Sequence, residues 1–293
     1  MRDSIFLSSI RAFFVALFSV AGITFGFFPI LILIGLFSDT TSSTPTATFT
    51  PEIVANAEGK RKVLSGSAPV ILKLNIDGVI GIAPLDSDTM RSQLVESRED
   101  QLKDNRVKAI LLHINSPGGT VVDADGIYRA LKAYKEQYKV PVYAYIDGLC
   151  ASGGMYIAMS ADKIYASDAS IIGSIGVLSP SFLNFSQLMD KIGIQALTLT
   201  AGKGKDELNP LRPWKPGEQD NIQSIIDYYY QQFVDIVVQN RPEVIKEKLI
   251  NDYGAKIFNP IQAKEIGFIN AAGYSLNMTI KDLLKEIGIE DDF

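Results

Sequence analysis

The longest uninterrupted apolar pattern comes first: 27 residues from Ala12 to Ser38, rich in Phe, Leu, Ile and Val and without a charge. As a helix this run would reach ~40 Å, more than the roughly 30 Å of a bilayer's hydrocarbon layer. A secretory signal has a shorter apolar region, about 7–15 residues, closely followed by a small-residue cleavage site. The Ala55-Asn56-Ala57 match lies too far downstream for that. Residues 1–38 are therefore predicted to be an uncleaved, single-pass membrane anchor. Arg2 and Arg11 precede the run and Asp39 follows it, which places the N-terminus in the cytoplasm and the rest on the extracytoplasmic side of the cytoplasmic membrane. Pro29 and the glycines at 22, 26 and 35 predict a kink, and a re-entrant hairpin is the alternative. Residues 39–67 begin with Thr, Ser and Pro, turn polar, and read as a flexible linker.

From residue 68 onwards strand and helix patterns alternate. Val70–Ile76 reads as a strand and Ser87–Asn105 as a polar helix. Val107–Ile114 is a nearly continuous apolar run, the pattern of a strand buried on both faces. Val122–Tyr138 has helical spacing, Pro141–Ile146 is strand-like, and Ser152–Ala161 is a helix candidate. Ile164–Ala166 and Ile194–Leu199 are predicted as short strands. Apolar residues from Ile222 to Val237 recur at helical spacing, a long helix with one buried stripe. The alternation predicts an α/β layered fold with a mostly parallel sheet over 68–293.

Composition removes several kinds of chemistry. Hydrophobic content of 47% can fill a core, and 28 basic against 33 acidic residues, net −5, offer no dense basic stretch to a phosphate backbone. Nucleic acid is excluded as a partner. One Cys and one His exclude an intramolecular disulfide, a Cys-based zinc site and a His-rich metal centre. Neither a metal nor a cofactor is expected; the stretch Gly202-Lys203-Gly204-Lys205 does not match a phosphate loop.

In parallel sheets ligands gather at the carboxyl ends of the strands. Two glycine-rich segments, read as turns, fall there: Asn115-Ser116-Pro117-Gly118-Gly119 and Gly148-Leu149-Cys150-Ala151-Ser152-Gly153-Gly154. Backbone N–H groups between them could hold an oxyanion. Ser152, at the strand-to-helix junction, either caps the helix or presents a nucleophilic hydroxyl. The single histidine, His113, sits in an apolar strand, the setting of a core residue rather than a base. A lysine can act as the base when burial keeps its amine neutral. Lys203 and Lys205 follow the predicted Ile194–Leu199 strand and are the candidates; as surface residues they would simply be solvated.

Taken in order, Asn115–Gly119, Gly148–Gly154, Ala161–Ala166, Gly173-Ser174-Ile175-Gly176-Val177, Gly254–Phe258 and Gln262–Ile269 resemble the signal peptide peptidase A (protease IV) family, across about Val70 to Asn270. The resemblance implies a ClpP/crotonase-like fold and a membrane-bound serine protease with a Ser–Lys dyad. Ser152 would be the nucleophile and Lys205 the base, with Lys203 as the alternative. Ser174 would orient the lysine, and the N–H groups of Gly119 and Gly153 would form the oxyanion hole. Half-length members assemble into rings in which nucleophile and base can come from neighbouring subunits. The expected substrates are released signal peptides and unfolded segments. Asn270 departs from the Asp common at that point of the family, and Cys150 is read as a small buried residue. A crotonase-like acyl-CoA enzyme and a non-catalytic membrane scaffold are the alternatives.

Overall fold

The computed structural model describes residues 66–289 without a break, and beyond them only 10, 13–18, 52–53 and 59–61. The chain divides into two units, Met1–Thr48 and Phe49–Phe293. In the first, residues 13–18 are helical. The anchor expected over 1–38 and the linker over 39–67 otherwise fall outside the described residues. Among the described residues no helix is long and apolar enough to cross a membrane.

The second unit is built on β1 (Val70–Ile80), β2 (Val107–Gly119), β3 (Val142–Ala151), β4 (Lys163–Ala166) and β7 (Ala271–Ala272), adjacent in that order and all parallel. Strands β5 (Ile171–Gly173) and β6 (Ile257–Phe258) extend the sheet on another path. β5 runs parallel to the far end of β3, and β6 pairs antiparallel with β5. Successive side chains of a strand face opposite sides, and both sides are covered here. Leu72, Leu74 and Ile76 of β1, Ile110, Leu112 and Ile114 of β2, and Val142, Ala144 and Ile146 of β3 belong to the larger core. Ala109 and Leu111 of β2, Tyr143 and Tyr145 of β3, and Tyr165 of β4 pack on the other side with Leu283.

The larger core is roofed by α1 (Ser87–Glu96), α2 (Val121–Tyr138), α3 (Gly153–Ala158), α5 (Asp220–Asn240) and α6 (Pro260–Ile266), while α7 (Leu276–Glu286) covers the smaller face. Helix α4 (Ser186–Ile192) lies in the long segment between β5 and α5. Helix starts follow local chemistry. Asp86 accepts from the Asp88 and Thr89 N–H groups, Thr120 from the Asp123 N–H, and Asn259 forms a capping box with Gln262.

Several expectations change. The first helix ends at Glu96 rather than near Asn105. The Ser97 hydroxyl bonds the Leu94 carbonyl and the Tyr134 hydroxyl, and Asp100, Asp104 and Asn105 take positive φ, so the chain turns back to enter β2. The helix predicted over Ser152–Ala161 is shorter, Gly153–Ala158. Residues 194–199 form no strand: Leu197 and Leu199 are each 85% exposed, with no neighbouring ladder among the described residues. The glycine-rich segments are not simple turns. Asn115–Gly119 continues β2, pairing Gly118 with Val79 and Gly119 with Ile80, and Gly148–Ala151 continues β3 alongside β5. In α5 the stripe is buried only in its second half, at Phe233, Ile236 and Val237; Ile222, Ile226 and Tyr229 are half-buried and Ile225 is exposed.

Candidate active site

Ser152 joins the end of β3 to the start of α3. Its φ of +52° and ψ of −120° are unusual for a residue with a side chain. The neighbours fix that conformation. The Ser152 N–H donates to the Gly173 carbonyl at 3.0 Å, and the Ser152 carbonyl accepts from the Tyr156 N–H at 3.0 Å. The hydroxyl makes no capping bond to the helix. The side chain is half-buried, and the capping role that the sequence offered for Ser152 is not taken up.

Glycines let β2 approach this junction. A Cβ on Gly118, whose φ is +100°, would lie 2.7 Å from both the Gly153 nitrogen and the Ser152 Cβ. One on Gly119 would meet the Ile80 carbonyl oxygen at 1.9 Å. The Gly119 nitrogen lies 3.3 Å from where a Cβ on Gly153 would sit, so β2 and the start of α3 are in close contact here. Upstream, the Ser116 hydroxyl donates to the Gly78 carbonyl at 2.6 Å and accepts from the Gly118 N–H at 3.1 Å. Asn115 bonds Asp77 and the Leu149 N–H, tying β1, β2 and β3 together just below the junction.

Ser174 follows Gly173, the register partner of Ala151, so the two serines leave adjacent strands side by side. Its φ is also positive, +55°, and its N–H donates to the Lys256 carbonyl at 2.8 Å. Lys203 and Lys205 lie in an exposed series of turns, not at a strand end. Neither amine hydrogen-bonds Ser152 among the described residues of one chain. Lys205 is exposed within a single copy.

His113 faces the smaller layer, away from α3. It stacks on Tyr145 with ring centroids 5.7 Å apart, and its Nε2 is 3.6 Å from an Asp147 carboxylate oxygen. Burial, aided by nearby Lys73, lowers its pKa below the ordinary value, while Asp147 opposes the shift. This is the core histidine expected from the sequence. Cys150 is fully buried, and burial pushes its thiol far above the usual range, so it is inert. Among the described residues no group of His, Cys, Asp and Glu could hold a metal ion.

One cluster beside the lysines escapes sequence reading: Asp206, Arg212 and Glu218, joined through the Arg212 guanidinium. They lie in a stretch of turns, and only the folded loop brings them together.

A mostly parallel sheet, a strained serine at a strand-to-helix junction, and glycine amides beside it define an α/β fold of the ClpP type; residues 87–172 match the Clp protease family. Residues 134–291 match peptidase family S49, and the chain belongs to that family. It is similar to "Putative signal peptide peptidase SppA" of Enterococcus faecium, 35% identical over 75% of this chain and 64% of that protein. "Serine protease SPPA, chloroplastic" of Arabidopsis thaliana is 31% identical over 64% of this chain and 27% of that protein. "Protease 4" of Salmonella typhi is 29% identical over 68% and 31% respectively. The chain thus spans less than two thirds of the length of each of these relatives.

Proposed function

We propose that this chain is a serine endopeptidase in which Ser152 is the nucleophile and Lys205 the general base. The observation that carries the reading is the Ser152 junction: a hydroxyl free of capping duty, on a backbone forced into positive φ, beside the amides of Gly119 and Gly153. Neutral Lys205 takes the Ser152 proton as Oγ bonds to the peptide carbonyl carbon. The oxyanion rests on the N–H groups of Gly119 and Gly153. The C–N bond then breaks, with the lysine proton passing to the leaving amine, and lysine-activated water releases the acyl group. Ser174, leaving the strand beside Ser152, would orient the amine.

The base would come from a second copy of the chain. Lys205 is exposed in one protomer, and the segment that carries it leaves Leu178 86%, Leu183 61%, Leu197 85% and Leu199 85% exposed. Apolar exposure on that scale suits a subunit contact, and a ring would bury Lys205 and the leucines together. The apolar run at 12–38 would anchor the ring to the cytoplasmic membrane with the sites outside, where apolar signal peptides and unfolded segments collect. Family membership favours peptide hydrolysis over the acyl-CoA and scaffold readings.

The test uses the full chain in detergent with a fluorogenic apolar peptide. Cleavage that disappears in Ser152→Ala supports the assignment, and cleavage that persists in that variant contradicts it.

A further inference from the structure

The lysine loop is organised around one side chain. The Arg212 Nε donates to Asp206 Oδ2 at 2.5 Å, and its Nη2 bonds the Asp206 carbonyl. Its Nη1 pairs with Glu218 Oε1 at 2.7 Å and donates to the Pro213 carbonyl at 3.0 Å. The two carboxylates spend their remaining oxygens on the same loop: Asp206 Oδ1 accepts from Asn209, and Glu218 Oε2 accepts from the Leu208 N–H at 3.1 Å. Trp214 closes the far side, its indole N–H donating to the Asn209 carbonyl at 2.9 Å. Glu218 is buried and Arg212, Asp206, Leu208 and Asn209 are half-buried, although residues 213–217 between them are exposed.

An exposed loop ordinarily samples many backbone states. Here a bidentate guanidinium fixes both the carboxylate and the carbonyl of the residue directly after Lys205, with a geometry a lysine could not reproduce. We propose that Arg212 is a positioning residue for the general base: its fork on Asp206, braced by Glu218, sets the direction in which Lys205 leaves its loop and reaches Ser152 of the adjoining copy. This rests on the assignment of Lys205 as the base. Arg212 touches neither substrate nor reacting atoms, and acts through the Asp206 backbone.

The proposal is tested by the rate at which a fluorophosphonate acylates Ser152 in the full-length assembled protein, measured across pH. Arg212→Gln is expected to lower the rate about tenfold or more, since small displacements of a reacting group cost rate steeply. The rate should rise toward alkaline pH as the amine loses its proton, and in Arg212→Gln that rise should move to higher pH, because the Asp206 carboxylate next to Lys205 loses its cation and favours the charged amine. Arg212→Lys, which restores charge but not the fork, should recover the pH profile more fully than the rate. Asp206→Asn should slow the reaction less, and the Arg212→Gln/Asp206→Asn pair should be no slower than Arg212→Gln alone, since both act through one bond. An assembled Arg212→Gln protein with wild-type rate and profile overturns the proposal, as does full additivity in the pair. If Arg212→Gln does not assemble, Glu218→Gln replaces it, with a smaller slowing expected and a wild-type rate contradicting. Lys205→Ala is measured in parallel: wild-type labelling there discards the base assignment, whatever the Arg212 variants do.

Discussion

The Ser152 N–H donates to the Gly173 carbonyl at 3.0 Å, so the residue that follows β3 is fixed by the residue that ends β5. That bond extends the Ala151–Gly173 pairing by one step and holds Ser152 at φ +52° while Ser174 emerges alongside. The geometry of the candidate nucleophile thus depends on a strand of three residues, β5, itself braced by β6.

Strain at Ser152 has a thermodynamic signature. Glycine adopts positive φ without the Cβ penalty, so Ser152→Gly should be more stable than Ser152→Ala by about 1 kcal/mol. Chemical denaturation of the two variants checks this, and equal midpoints would mean that the backbone at 152 is relaxed.

Gly118 tests the close approach of β2 to α3. A methyl group there would press on the Gly153 nitrogen and the Ser152 Cβ, both at 2.7 Å, in a backbone state that disfavours it. Gly118→Ala should cost about 2–4 kcal/mol and abolish cleavage, read by denaturation and peptide hydrolysis. The same substitution at Gly288, where nothing lies within 4 Å, should leave cleavage intact.

His113 gives a pH dependence of stability. Its pKa in the folded protein lies below the ordinary value of about 6.5 because burial disfavours the cation. As pH falls below that value the unfolded chain takes up the proton first. The stabilising contribution is therefore complete above about pH 6.5 and is lost as pH falls toward the folded-state pKa. His113→Gln should flatten stability against pH in this window relative to wild type; an unchanged slope would assign it to the carboxylates instead.

Much of this was legible in the sequence, for physical reasons. Val107–Ile114 is apolar at every position but two because the sheet is buried on both faces, and that pattern betrays a parallel strand. Ser152 and the glycines were legible because tight junctions restrict which residues fit. Strands of two or three residues, such as β5 and β6, are too short to show a period. The run Ile194–Leu199 has a strand's composition but no neighbour to pair with among the described residues. The Arg212 cluster was invisible because it forms only when a patternless loop folds back on itself.

That run leads to a further test. If Leu197 and Leu199 form part of a subunit contact, Leu197→Glu/Leu199→Glu should dissociate the assembly and remove activity together. Sedimentation and hydrolysis on one sample report both. Full activity in a monomer would show that each copy assembles its own site.

The most direct measurement is labelling of the assembled protein by a fluorophosphonate in an equimolar mixture of Ser152→Ala and Lys205→Ala chains, compared with each variant alone. The account predicts no labelling of either variant by itself and recovery in the mixture, when a Lys205 from one protomer reaches the Ser152 of its partner. Labelling of Lys205→Ala alone at the wild-type rate would contradict it.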